Sequence, residues 1–200
     1  MFMLEQLIQR HFFDSADLKN QSAEALSRPI ADAAQALLGS ITAGGKLLAC
    51  GNGSAACNAQ HLVTLLAGRF ERQRPGLAAI GLAGDPTVLT ALGQEHGFAA
   101  VFARQVQVLG QPGDVLAVFD TTGAAPNILA AVEAAHEKDM TVIAFTGPGG
   151  GALGQRLTET DVALCIPHDR DARIHEVHLL AVHCLCDAID TQLLGEQDPA

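Results

Sequence analysis

Two short glycine turns carry the polar groups best suited to chemistry. Gly51-Asn52-Gly53-Ser54 follows an apolar run at Lys46 to Cys50, and Asp120-Thr121-Thr122-Gly123 follows another at Val115 to Phe119. Where a turn of this kind joins a strand to a helix, loop N–H groups and the helix dipole favour anions, and hydroxyl side chains add further donors. Neither turn matches Gly-x-x-x-x-Gly-Lys or Gly-x-Gly-x-x-Gly, so a nucleotide ligand is not indicated. A bare Gly-x-Gly also suits a tight turn that needs glycine for its backbone alone. On these residues, anion binding and plain turn geometry both stay open.

The elements that would position the turns are well marked. Lys46 to Cys50, Ala78 to Leu82, Val115 to Phe119, Thr141 to Thr146 and Val162 to Ile166 are continuous apolar runs, as strands buried on both faces of a parallel sheet require. Helical periodicity fills the intervals at Ala55 to Gly68, Thr87 to Gly93, Phe98 to Leu109, Ala125 to Asp139 and Arg170 to Leu194. Alternation of this kind predicts an α/β fold, a doubly wound, flavodoxin-like parallel sheet of five strands in one domain spanning 1–200. Residues 1–44 read as an N-terminal helical extension of two helices, with a turn or kink near Pro29 and a stop at Gly44-Gly45. An extension outside a compact sheet commonly exposes an apolar stripe, which predicts self-association.

Composition narrows the class. The 200 residues are 48% hydrophobic and 17% charged, enough to fill a core. A formal net charge of -10, from 22 acidic and 12 basic residues, would repel a phosphate backbone, so direct nucleic-acid binding is not expected. Met1 to Phe13 does not read as a signal peptide, and no membrane span is expected; the predicted location is cytoplasmic. Cys50, Cys57, Cys165, Cys184 and Cys186 form no Cys-x-x-Cys pair and read as incidental thiols.

The run Cys50-Gly51-Asn52-Gly53-Ser54, continued by Asn58-Ala59-Gln60-His61, Gly68-Arg69-Phe70 and Arg74-Pro75, resembles the sugar isomerase (SIS) domain family. Gly110-Gln111-Pro112-Gly113-Asp114, Thr146-Gly147, Ile166-Pro167 and Ala172-Arg173-Ile174-His175-Glu176-Val177-His178 extend the likeness over nearly the whole chain. Within the family the chain is similar to the branch of phosphoheptose isomerase and the DnaA initiator-associating protein (DiaA). Its ending, Cys184-Leu185-Cys186-Asp187-Ala188-Ile189-Asp190, looks most like the latter. The resemblance implies a homotetramer, a dimer of dimers. It also implies a ligand set of Asn52, Gly53, Ser54, Asp85, Asp120, Thr121 and Thr122, with His183 as the proton carrier.

Against that pattern several positions have changed. The family's phosphate-holding serine falls on Ala55, and its Ser-Thr-Ser-Gly-Asn-Ser falls on Asp120-Thr121-Thr122-Gly123-Ala124-Ala125. Losing a hydroxyl partner to a charged acceptor costs about 0.5–3 kcal/mol. A carboxylate roughly 4 Å from a phosphate adds repulsion of a few kcal/mol at intermediate dielectric. Asp120 also suits a helix N-cap, which would occupy the same place. The family's glutamate base falls on Leu65, which transfers no proton, and its glutamine falls on His175. By resemblance, His61, His175 and His183 line one pocket where zinc could bind, although His175 and His183 lie about 12 Å apart along a helix. His178 is offset around that helix and is expected to face a subunit neighbour or solvent.

These changes favour a catalytically inactive oligomer that promotes replication initiation by binding DnaA, with the apolar pair Leu193-Leu194 as a candidate contact and no cofactor. The alternative is a sedoheptulose 7-phosphate isomerase of heptose synthesis. A sugar-phosphate sensor is a further possibility.

Overall fold

The computed structural model describes residues 2–195. Its first element, α1, is one helix of 41 residues, Phe2–Thr42, which corrects the expectation of two helices broken at Pro29. Proline denies the Ala25 carbonyl its N–H partner. Ala25 is exposed, so water can take that bond, while Leu26, Ala33, Ala34 and Leu37 are buried on the other side and carry the helix through. From Leu18 onward α1 belongs to the main core rather than lying outside it.

Five strands follow: β1 (Leu47–Gly51), β2 (Ala79–Gly81), β3 (Val115–Asp120), β4 (Thr141–Thr146) and β5 (Val162–Cys165). Each lies within one residue of the bounds its apolar run predicts. They pair in parallel in the order β2-β1-β3-β4-β5, with Leu47 opposite Val115 and Val115 opposite Thr141. The helices are α2 (Ser54–Ala67), α3 (Pro86–His96), α4 (Val101–Leu109), α5 (Pro126–His136), α6 (Gly151–Gly154) and α7 (Asp171–Leu194).

Alternate side chains of the sheet feed two cores, as the pleat demands. Leu47, Ala49, Ala117, Phe119, Ile143 and Phe145 face α1, α2 and α7. Leu48, Cys50, Leu116, Val118, Val142 and Ala144 face α4 and α5. Because β1 connects outward to β2 and β3 connects the other way to β4, the chain reverses direction between β1 and β3. In this architecture the ligand crevice lies outside the carboxyl ends of those two strands, where both glycine turns emerge.

The helix α7 has the length and apolarity of a membrane-crossing segment. It packs instead against α1 and α2, and Ile174, Val177, Ala181, Val182, Leu185 and Ile189 are buried in the core.

Candidate active site

The first turn leaves β1 at Gly51 and enters α2 at Ser54, with Gly53 in a left-handed conformation (φ 53°). Gly53 and Ser54 are exposed. Asn52 is not free to meet a ligand with its whole amide: its Nδ2 donates to Asn127 Oδ1 at 2.9 Å, and Asn127 Nδ2 donates back to Asn52 Oδ1 at 2.8 Å.

The second turn is closed on itself. Asp120 Oδ1 accepts from the Thr122 N–H at 3.1 Å and the Thr122 hydroxyl at 2.9 Å, and Oδ2 accepts from the Ala125 N–H at 2.8 Å. The carboxylate thus ties the loop ahead of α5, while the N-cap position itself is Ala125, without a side-chain cap. Sequence reasoning missed what backs this turn, the glycine loop 147–151, where Gly149, Gly150 and Gly151 all have positive φ (67°, 72° and 58°). A Cβ on Gly123 would strike the Gly150 carbonyl, and one on Gly147 the Thr121 carbonyl. Leu153 N–H donates to the Gly123 carbonyl at 2.8 Å and completes the contact. Asp85 is committed to α3, where its Oδ1 caps the N–H groups of Thr87 and Val88.

Two turns of α2 beyond the first loop, His61 meets α7. Its Nε2 lies 3.0 Å from His183 Nε2, and the rings form an edge-on pair with centroids 5.2 Å apart. Phe70 lies against His183, its ring centroid 5.6 Å away. Outside the pair is an open depression of about 250 Å³ lined by Phe70, Glu71, His183, Cys184 and Asp187. Partial burial, and then the neighbouring His183 charge, hold the His61 imidazole below its ordinary pKa, so it stays unprotonated at neutral pH. Such a nitrogen is a competent proton acceptor.

His175 does not join them. Its ring neighbour is His178, with centroids 6.2 Å apart, and its backbone carbonyl accepts from Asn58 Nδ2. Among the described residues no three His, Cys, Asp or Glu side chains form a group that could hold a metal ion. Of the zinc set His61, His175 and His183, the fold thus brings two together and leaves His175 apart.

The expected exposure of His178 is also corrected. It is fully buried, edge-on to Phe119 and Phe145, with Nε2 3.1 Å from the Thr146 carbonyl. Burial pulls its pKa down to about 4, against a lesser upward pull from the Thr146 carbonyl. Between about pH 6.5 and 4 the unfolded chain then binds a proton that the folded chain refuses. Stability is whole above the upper limit and falls by about 3 kcal/mol as the pH drops to the lower one. Urea unfolding at pH 7.5 and 4.5, for the wild type and His178→Phe, checks this; equal pH slopes in both would contradict it.

Leu65, half-buried one turn after His61, packs against the core, and its carbonyl accepts from Arg74 Nη2 at 3.0 Å. Arg74 also donates to the Leu66 carbonyl and, through Nε, to Asp190 on α7. Both side chains of this ion pair are 1% exposed. Arg74 thereby closes the carboxyl end of the helix that presents His61. Leu193 and Leu194 end α7, each nearly two-fifths exposed, and the Leu194 and Gly195 carbonyls accept from Arg72. Cys50 and Cys186 are buried, and burial pushes the Cys186 thiol up to about 12, which leaves it inert.

The family model for the SIS domain matches residues 11–147. The chain belongs to the SIS-domain family. This SIS domain is 68% identical over 198 residues to the phosphoheptose isomerase of Methylibium petroleiphilum, covering 99% of each chain. It superposes on a phosphoheptose isomerase from Francisella tularensis with TM-score 0.91 at 46% identity, covering 96% of this chain and all of that one. The Neisseria gonorrhoeae phosphoheptose isomerase gives 0.90 at 43% identity, covering 94% and 99%. These relatives overturn the expectation of a catalytically inactive, DiaA-like protein acting through DnaA: a likeness this close, over whole chains, runs to proteins named as isomerases. The role of Leu193 and Leu194 as DnaA contacts falls with it.

Proposed function

We propose that this SIS domain is an aldose–ketose isomerase acting on a phosphorylated heptose, with sedoheptulose 7-phosphate as its substrate. The observation that carries this reading is the His61–His183 pair, whose facing nitrogens lie 3.0 Å apart beside an open depression. One imidazole removes the proton from C1 of the ketose while the C2 carbonyl oxygen takes a proton, giving an enediol. Return of a proton to C2 and loss of the one on O1 gives the aldose, with no net change in protons. The exposed amides and hydroxyl of Gly53 and Ser54 at the start of α2 receive the phosphate. At 1.5 Å per residue, Ser54 and His61 are separated by about 10 Å along α2, a span of the order of an extended seven-carbon chain.

Supporting self-association are the exposed apolar side chains Phe2, Met3, Leu4, Leu7, Ile8, Phe12 and Phe13 along the first turns of α1. The homotetramer implied by the resemblance is part of this reading, and sedimentation equilibrium checks it.

The direct test follows sedoheptulose 7-phosphate by NMR in D2O. Turnover with deuterium entering beside the carbonyl is expected; saturable binding with no exchange would make the site a sugar-phosphate sensor. Leu65→Glu supplies a carboxylate one helical turn from His61, within reach of the same pocket. It is expected to raise kcat about tenfold or more, since a positioned acid–base group contributes about 10²–10⁴-fold. A folded Leu65→Glu protein no faster than the wild type would count against proton transfer at this place.

A further inference from the structure

The reciprocal amide pair between Asn52 and Asn127 stands apart from the groups assigned so far. Asn127 is the second residue of α5 and is 2% exposed; Asn52 is half-buried on the first turn. Each amide gives one N–H and accepts one, at 2.9 and 2.8 Å, so the pair closes as a ring. Buried amides joined in this way are satisfied only when both are present and correctly turned.

The position of the ring gives it a task. The β1–β3 ladder ends at Gly51 and Phe119. Beyond it, among the described residues, these two hydrogen bonds are the ones that join the first turn to the second turn and its helix. The second turn has other supports, from Asp120 and from the glycine loop behind it. The first turn has fewer, because Gly53 has open space around its Cβ position and α2 has no side-chain cap.

We propose that Asn127 is a positioning residue for the sugar-phosphate site: acting through Asn52, it holds the start of α2 at the distance from the second turn that a phosphate on Gly53 and Ser54 requires. This rests on the isomerase reading for the identity of the ligand but not for the brace itself. Asn127 touches no substrate, and its effect passes through the backbone of the first turn.

The test is a double-mutant cycle with Asn52→Leu and Asn127→Leu. Three measurements are read: inorganic phosphate affinity by calorimetry, KM and kcat for sedoheptulose 7-phosphate, and amide hydrogen exchange at Gly53, Ser54 and Ala55. Each single variant is expected to weaken phosphate binding and raise KM about tenfold, with a smaller change in kcat. The double variant is expected to be no worse than either single one, because both remove the same link. Exchange is expected to speed up in the first turn and stay unchanged at Thr121 to Gly123.

Asn127→Asp adds a readout that packing alone would not move. A protonated aspartic acid restores both bonds of the ring, whereas its carboxylate faces the Asn52 oxygen. The KM of that variant, relative to wild type at each pH, is expected to approach one at low pH and to rise as a carboxyl group raised by burial ionises. Additive losses in the cycle, or first-turn exchange unaffected by Asn127→Leu, would overturn the proposal. A wild type that converts no substrate, with the exchange coupling intact, would remove the isomerase reading and leave the brace standing.

Discussion

His183→Gln is expected to lower the turnover of sedoheptulose 7-phosphate by about 10²–10⁴-fold, the usual contribution of a positioned acid–base group. Glutamine keeps much of the volume and an amide that can still meet His61 Nε2, so the thermal midpoint should move little. Losing one member of a pair that works as a unit removes the function of both. His61→Gln should therefore cost about as much, and the double variant scarcely more. In the wild type, kcat/KM should rise with pH through a value below the ordinary imidazole pKa, since the base acts unprotonated and burial holds His61 down. A His183→Gln enzyme within threefold of wild type would place the base elsewhere.

The largest stability effect belongs to Arg74→Met, expected to destabilise the fold by about 3–5 kcal/mol, as breaking a buried pair by removing one partner does. Asp190 would be left charged at 1% exposure, with one oxygen that already lacks a partner. The Leu65 carbonyl would lose its Arg74 donor as well, and the Leu66 carbonyl would keep only the Leu77 N–H. Asp190→Leu added to Arg74→Met should recover part of the loss, because the stranded charge goes with it. Urea unfolding with unchanged m-values reads this out. A loss below about 1 kcal/mol in Arg74→Met would mean that the ion pair adds little once its desolvation is counted.

The sheet was legible because each strand is a continuous apolar run; β1, β3 and β4 are buried on both faces as such runs imply, while the edge strands β2 and β5 keep exposed residues. Both ligand turns were legible for a related reason, as glycines and hydroxyls directly follow those runs. Pro29 misled, since local proline chemistry predicts a break, but burial of Leu26 and Leu37 against the rest of the core outweighs one lost hydrogen bond on an exposed face. His178 misled for the opposite reason. Helical phase places a histidine on a face but does not reveal that the Thr146 carbonyl, which also accepts from the Ile166 N–H, lies there beside its ring. Asn127 gave no signal, following a proline at an ordinary helix start, and its partner lies 75 residues away. The functional expectation went astray by weighing Leu65 and Asp120 as losses. The pairing of His61 with His183, 122 residues apart, is invisible until the chain is folded.

The close seating of the glycine loop on the second turn bears on how mutational tolerance maps onto this molecule. At Gly123, Gly147 and Gly151 the place of a side chain is already filled by carbonyl groups of the opposing loop. A single methyl at any of the three must part the two loops, although none of these glycines has a side chain to offer the reaction. In a saturation library sorted on activity, these positions would therefore look as intolerant as the histidines. Sorting the same library on abundance as well would separate the residues that do the chemistry from those that only leave room for it.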